Sequence, residues 1–189
     1  MAPVVYKNKV IIGITGVGYG LHIEGQGSDS SLGAVVGVAG RFGRPGFLAA
    51  YDIHSGRQIW QFDTIPEQGW EGEFTNYTAD GEVLNRDTYL EKEALAQYPD
   101  SSKYGGGSAW TTPAIDEITN TLFFGTGNPS PQMSSETRPG DNLYTVSLVA
   151  LDADTGELKW FYQQVPHDTW GYDVASPPLL FHTIVDGKV

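Results

Sequence analysis

Along most of this chain apolar residues alternate with polar ones over short runs, and Gly, Asn, Asp and Thr break the runs. A period of two predicts half-buried strands, not helices. Val4–Tyr6 and Val10–Ile14 are predicted strands around a Lys7-Asn8-Lys9 turn. Ala114–Asp116 and Thr121–Gly125 form a predicted hairpin through Ile118-Thr119-Asn120, and Val146–Leu151 a further strand. The pattern is clearest in Ala150-Leu151-Asp152-Ala153-Asp154-Thr155-Gly156-Glu157-Leu158-Lys159-Trp160. There one strand ends at Leu151 and Asp154-Thr155-Gly156 turns the chain, with Gly156 free to take positive φ. Leu158 and Trp160 then alternate with Glu157 and Lys159. The same pattern occurs earlier as Ala50-Tyr51-Asp52-Ile53-His54-Ser55-Gly56-Arg57-Gln58-Ile59-Trp60. Ala, Asp, Ser/Thr, Gly and Trp stand at identical offsets in the two copies, which signals a repeat architecture. Short strands, turns and a Trp closing each repeat predict an all-β fold of propeller blades. At roughly 50 residues per large blade, residues 1–189 hold about three to four blades of one partial propeller domain.

Two stretches depart from the strand pattern. Leu21–Gly40 is rich in Ser and Gly and is a predicted loop. Ile65–Tyr104 is a long polar excursion, of the length that functional loops and lids have. Within it Asp87 is placed to cap a short helix over Thr88–Gln97, closed by Pro99. Pro177–Phe181 followed by Thr183–Val189 reads as a strand, a turn and the start of another strand. The expectation is therefore a segment of a longer protein.

Composition narrows the chemistry. A formal charge of −12 argues against nucleic acid or an anionic membrane surface as partner. There is no Cys, so neither a disulfide nor a thiolate site is available. No apolar run approaches the length of a membrane span, and the residues after Met1 do not read as a leader. The four histidines His22, His54, His167 and His182 lack metal-site spacing. His167 beside Asp168 reads as a structural hydrogen-bonded pair. Thr15-Gly16-Val17-Gly18-Tyr19-Gly20 follows a strand but precedes no helical pattern, so it is not a dinucleotide loop. Gly105-Gly106-Gly107-Ser108-Ala109-Trp110 lets backbone and a large flat ring approach closely, and its Thr111-Thr112 flank suggests a ring presented to a ligand. Asn128 is either a turn former before Pro129 or a side-chain oxygen for a hard cation. Asp173 is either a turn residue or a site carboxylate, and spacing leaves both open.

Taken in order, Gly105–Trp110, Gly125-Thr126-Gly127-Asn128-Pro129, Arg138-Pro139-Gly140-Asp141-Asn142-Leu143-Tyr144, Ala150–Trp160 and Pro166-His167-Asp168-Thr169-Trp170 resemble the pyrroloquinoline quinone (PQQ)-dependent alcohol dehydrogenases. The resemblance covers nearly the whole chain. It implies an eight-bladed propeller locked by docking tryptophans, here Trp60 and Trp160. It implies oxidation of a small alcohol with hydride passing to PQQ, a calcium or lanthanide ion as Lewis acid, and a carboxylate that takes the alcohol proton. An extracytoplasmic, periplasmic location and a cytochrome c electron acceptor also follow from it. By the same resemblance Trp110 is the floor under the quinone, Thr15 and Gly16 begin the quinone-binding turn, and Asn128 ligates the metal. The family's metal-binding Glu has no counterpart at Gly18 or at Arg41, and Glu24 is the nearest carboxylate. The family's catalytic Asp position is Gly171. Asp173 matches the extra Asp of lanthanide-using members and is the remaining candidate base or metal ligand; with the segment extended, residues 171 and 173 point to the same face. Rival readings are a propeller that kept the scaffold and lost the chemistry, and a scaffold propeller of the outer-membrane assembly type.

Overall fold

The structure, a computed structural model, describes residues 1–15, 44–132 and 135–184. Among them lie two four-stranded antiparallel sheets, each a meander. The first runs β1 (Val4–Tyr6), β2 (Lys9–Ile14), β3 (Phe47–Asp52), β4 (Gln58–Asp63). The second runs β5 (Ala114–Asp116), β6 (Thr121–Gly125), β7 (Ser147–Asp152), β8 (Leu158–Gln163). Each falls on a predicted strand, and the two repeat copies are the β3–β4 and β7–β8 hairpins, but the strand predicted at Pro177–Phe181 does not form. Length alone suggested three to four blades. The described residues hold two complete ones, because the excursion and the loops between strands take up the remainder.

The hairpins agree down to their irregularities. Each has a register shift at the second motif residue, between Ala50 and Tyr51 and between Ala150 and Leu151. In each, the Asp at the end of the strand organises the turn. The Asp52 carboxylate accepts from the backbone N–H of His54 and Ser55, and the Asp152 carboxylate accepts from that of Asp154 and Thr155. Gly56 and Gly156 close the turns by donating to the Asp52 and Asp152 carbonyls at 2.8 Å. The shared offsets are thus one local hydrogen-bonding solution used twice.

The sheets stack face to face. Ile11, Leu48, Ala50 and Trp60 of the first meet Leu122, Phe124, Val149 and Leu151 of the second in one buried cluster. Ala50, a small residue in that cluster, is fully buried between the layers. Trp60 is 6% exposed and its ring lies over Gly156: a Cβ there would fall 2.7 Å from the ring. This is the expected docking. Trp160 differs, being 46% exposed. β8 is the outer strand of its sheet, and among the described residues no second turn glycine faces it.

The excursion is not a free loop. Its helix α1 (Thr88–Ala94) starts at Asp87, whose side chain accepts from the N–H of Tyr89 and Leu90, as predicted. A 3-10 turn, Leu95–Gln97, completes the helical stretch. Asp141 ties the excursion down by accepting from the N–H of Glu73 and Thr75 and pairing with Arg86 at 2.6 Å. Arg86 also pairs with Glu91, and Glu91 accepts from the Gly140 N–H at 2.9 Å.

Candidate functional site

The candidate residues come from four segments that run side by side at one end of the sheets. The carbonyl of Ile14, the last residue of β2, accepts from the Ala109 N–H at 3.1 Å. Gly107 N–H donates to Asn128 O at 2.8 Å, and Gly127 N–H donates to Ser108 O at 2.9 Å. Val174 N–H donates to Thr126 O at 3.1 Å. Residues 13–15, 106–110, 126–129 and 173–174 therefore follow one another across the two sheets. Thr15, Trp110, Asn128 and Asp173, far apart in sequence, are brought to the same end.

The glycine run before Trp110 makes this spacing possible. Gly106 has φ +96° and sits against the Asn128–Ser130 backbone, where any Cβ would fall 2.7 Å from Asn128 O and Ser130 N. The close approach predicted for these glycines is therefore to a neighbouring chain segment, with the Trp110 ring carried at its end. Trp110 is 39% exposed while Ala109 beside it is fully buried. Thr15 is exposed beyond the end of β2. Gly16, Gly18, Glu24 and Arg41 lie outside the described residues.

Asn128 and Asp173 meet directly. Asn128 N–H donates to Asp173 Oδ1 at 2.8 Å, and the Asn128 amide Nδ2 donates to Pro129 O at 2.7 Å. That second bond turns the amide nitrogen to the chain, so Oδ1 is the amide atom left for a cation. The Asp173 carboxylate lies against the Asn128 backbone and is a second hard oxygen group in the same place. Burial pushes the Asp173 carboxyl above the usual carboxylate range, against the pull of the Asn128 N–H. A cation beside it would reverse that effect of burial. Among the described residues no three His, Cys, Asp or Glu side chains gather into a metal cluster. The pair fits part of an oxygen shell for a hard cation, whose six to eight oxygens need further donors. The exposed Trp ring fits a flat ligand.

Two side chains hold Asp173 where it is, and neither stood out as functional from sequence. Asp168 is buried, and its carboxylate accepts from the N–H of Trp170, Gly171 and Tyr172 at 2.9–3.0 Å. Burial pushes its pKa up against those three bonds. Arg138 is fully buried; its guanidinium donates to Pro131 O, Gln132 O, Asp168 O and Asn142 Oδ1. Burial lowers its pKa to about 10, which leaves it charged at neutral pH. One guanidinium thus joins the chain just after Asn128 to the turn just before Asp173. The only sequence signal was the Arg-Pro-Gly-Asp-Asn motif itself.

Two expectations are corrected. His167 and Asp168 do not pair: His167 Nδ1–H donates to Gly140 O at 2.8 Å and lies 3.4 Å from Glu91. Burial lowers the His167 pKa, with Glu91 opposing. Nor do residues 171 and 173 share a face of an extended strand. The Asp168 turn holds Gly171 at φ +78°, and Asp173 reaches Asn128 from a bent segment. The open pocket of about 330 Å³ between α1 and the His167 turn includes none of Trp110, Asn128 or Asp173. Its cationic and acidic lining already pairs internally through Arg86 and Glu91, so the convergence of site residues decides the location.

The profile of the PQQ glucose/ethanol/alcohol dehydrogenase β-propeller domain matches residues 32–189. Over 192 residues, 99% of this chain and 22% of the relative, the chain is 33% identical to the quinohemoprotein alcohol dehydrogenase of Comamonas testosteroni. It is 37% identical over 175 residues to methanol dehydrogenase [cytochrome c] subunit 1 of Methylobacterium organophilum, covering 91% of this chain and 23% of that one. A solved europium-containing methanol dehydrogenase superposes with a TM-score of 0.65 at 25% identity, over 98% of this chain and 28% of that chain. The chain spans about a quarter of the length of such relatives.

Proposed function

The chain belongs to the PQQ-linked glucose/ethanol/alcohol dehydrogenase family of β-propellers, and from that membership we propose that the complete protein oxidises a small alcohol with PQQ and a hard cation bound at the end of the sheets described above. The observation that carries this reading is the direct bond from Asn128 N–H to Asp173 Oδ1, which joins the two candidate cation residues at the end of the sheets that also carries the part-exposed Trp110. Trp110, with Thr15 at the neighbouring strand end and Gly16 next to it in sequence, lies under the flat cofactor. Asn128 Oδ1 and Asp173 supply cation oxygens. When bound, the quinone and its cation supply the hydride acceptor and the Lewis acid. The Asp173 carboxylate, with Oδ1 fixed by Asn128, offers Oδ2 as the oxygen that takes the alcohol proton or holds the cation. The cation is calcium or a lanthanide; the europium-containing neighbour and the Asp at position 173 favour the lanthanide. The relative named for cytochrome c supports such a cytochrome as electron acceptor. A second reading, a propeller without catalysis, is favoured by one observation: residue 171 is Gly and has no carboxylate.

The test uses the complete protein loaded with PQQ and either calcium or a lanthanide, assayed for alcohol-dependent dye reduction. Asp173→Ala is expected to lower kcat/KM by at least about 10²-fold, as for loss of a group acting in proton transfer, with the melting temperature little changed. Equal activity in the variant removes Asp173 from the mechanism. An inactive parent with either metal establishes the non-catalytic reading.

A further inference from the structure

The side-chain space beside Gly171 is already filled. A Cβ at residue 171 would fall 1.9 Å from Gln132 Nε2, 2.7 Å from its Cδ and 2.8 Å from its Cγ. The outer half of the Gln132 side chain, carboxamide included, therefore occupies the place where a side chain on residue 171 would begin. The backbone on both sides of this contact is held in place. Arg138 Nη2 donates to Gln132 O at 3.3 Å and to Asp168 O at 2.5 Å, while Nε donates to Pro131 O at 2.8 Å. Asp168 in turn accepts from the Gly171 N–H. Both sides of the Gln132–Gly171 contact are thus anchored through one buried guanidinium. Gly171 lies two residues before Asp173, and Gln132 lies four residues after Asn128. The carboxamide sits against the segment that carries the Asn128–Asp173 pair.

We propose that Gln132 is a specificity-determining residue of the alcohol site: its carboxamide takes the place of a side chain at residue 171 and narrows the approach to Asp173. This rests on the reading under Proposed function. Two consequences follow from the contact. Residue 171 stays Gly for two reasons, its φ of +78° and the Gln132 atoms beside it. The wall it leaves is a neutral amide, which donates and accepts hydrogen bonds but does not ionise near neutral pH. Such a wall selects by shape and by hydrogen bonding to substrate hydroxyls, and it favours short primary alcohols over branched ones.

The experiment has two arms, both on the complete protein. The first is a melting-temperature cycle with Gly171→Ala, Gln132→Ala and the double variant. Gln132→Ala removes the Cγ, Cδ and Nε2 that a Cβ at 171 would meet. The double variant is expected to melt above the value that the two single shifts predict together. Additive shifts would show that the side chains do not compete for one space and would overturn the proposal. The second arm measures kcat and KM of Gln132→Ala for a short primary and a branched alcohol, with PQQ and metal saturating. The ratio of kcat/KM for branched over short is expected to rise roughly tenfold or more, mostly through KM. An unchanged ratio in an active variant overturns the selecting role while leaving the alcohol-oxidation reading intact. A parent inactive on every alcohol sinks that reading, and the selecting role with it.

Discussion

The two ends of the stacked sheets carry the same motif in different surroundings. On the inner side, Trp60 lies 6% exposed over Gly156. Around it Lys7 and Lys9 pair with Asp154 at 2.8 and 2.7 Å, and Tyr6 OH donates to Asn120 Oδ1 at 3.2 Å. On the outer side, Trp160 is 46% exposed, and Phe161 and Tyr162 beside it are exposed as well. The offsets in sequence are identical, as are the turn hydrogen bonds and the register shift. The difference is the neighbour: a Trp docks only where another sheet presents a glycine turn to it. The hairpin is local, and its burial is a property of the pair.

Three effects, measured with five substitutions, break or sharpen that comparison. Trp60→Ala has the largest expected effect, a loss of about 3–5 kcal/mol for a buried Trp in a close-packed seam. Trp160→Ala in the 189-residue chain costs less than half as much, since half of its surface already meets water. In a longer chain with another sheet over β8, its cost rises to that of Trp60→Ala. Denaturant unfolding of each variant measures this, and equal losses in the 189-residue chain would erase the distinction between the seams.

The second effect compares the turn glycines. Gly56 and Gly156 have φ of +69° and +75°, so an Ala at either costs about 1–2 kcal/mol of backbone strain. Nothing lies within 4 Å of a Cβ at Gly56, whereas at Gly156 the Trp60 ring lies 2.7 Å away. Gly156→Ala therefore costs a further amount of about 1–3 kcal/mol from overpacking. Equal losses for the two would show that Trp60 gives way freely. The third and smallest effect is Asp154→Asn, which removes the carboxylate between Lys7 and Lys9. His54 holds the matching place in the first copy and is exposed. Lys7 and Lys9 hold the Asp154 pKa down to about 2. A depressed carboxylate stabilises above its unfolded pKa of about 3.9, and that contribution fades as pH falls through about 2. Lys7 and Asp154 are about half exposed while Lys9 is buried, so the Lys7 share of the loss disappears in 1 M salt, where screening reaches about 3 Å, and the Lys9 share persists. A loss that vanishes entirely in high salt would show that the Lys9 pair is as open to solvent as the Lys7 pair.

The eight sheet strands, both hairpins and the capped helix were legible in the sequence, because each depends on neighbours within a few residues; the strand read at Pro177–Phe181 was not there. Asp52 and Asp152 build their turns from the N–H groups two and three positions on, and Asp87 caps α1 in the same way. The site was legible only as residue types. Trp110, Asn128 and Asp173 could be singled out, but Asp173 reaches Asn128 through a turn at Asp168 that the alternation rule misreads. Arg138 and Gln132 were missed in their roles, since both act across thirty or more residues. No local pattern tells a buried guanidinium from a solvated one.

By itself, then, the order of residues determined where the chain extends, where it turns, and that the turn is used twice, since those features arise from contacts a few residues apart. Three things were decided only by the tertiary structure. One is which of the two motif tryptophans is buried. Another is the meeting of Asn128 with Asp173. The last is the filling of the space at Gly171 by a glutamine 39 positions earlier. Each of these is a contact between segments far apart in the chain. Burial and close packing select such contacts jointly over the whole structure, and no short window of sequence contains both partners.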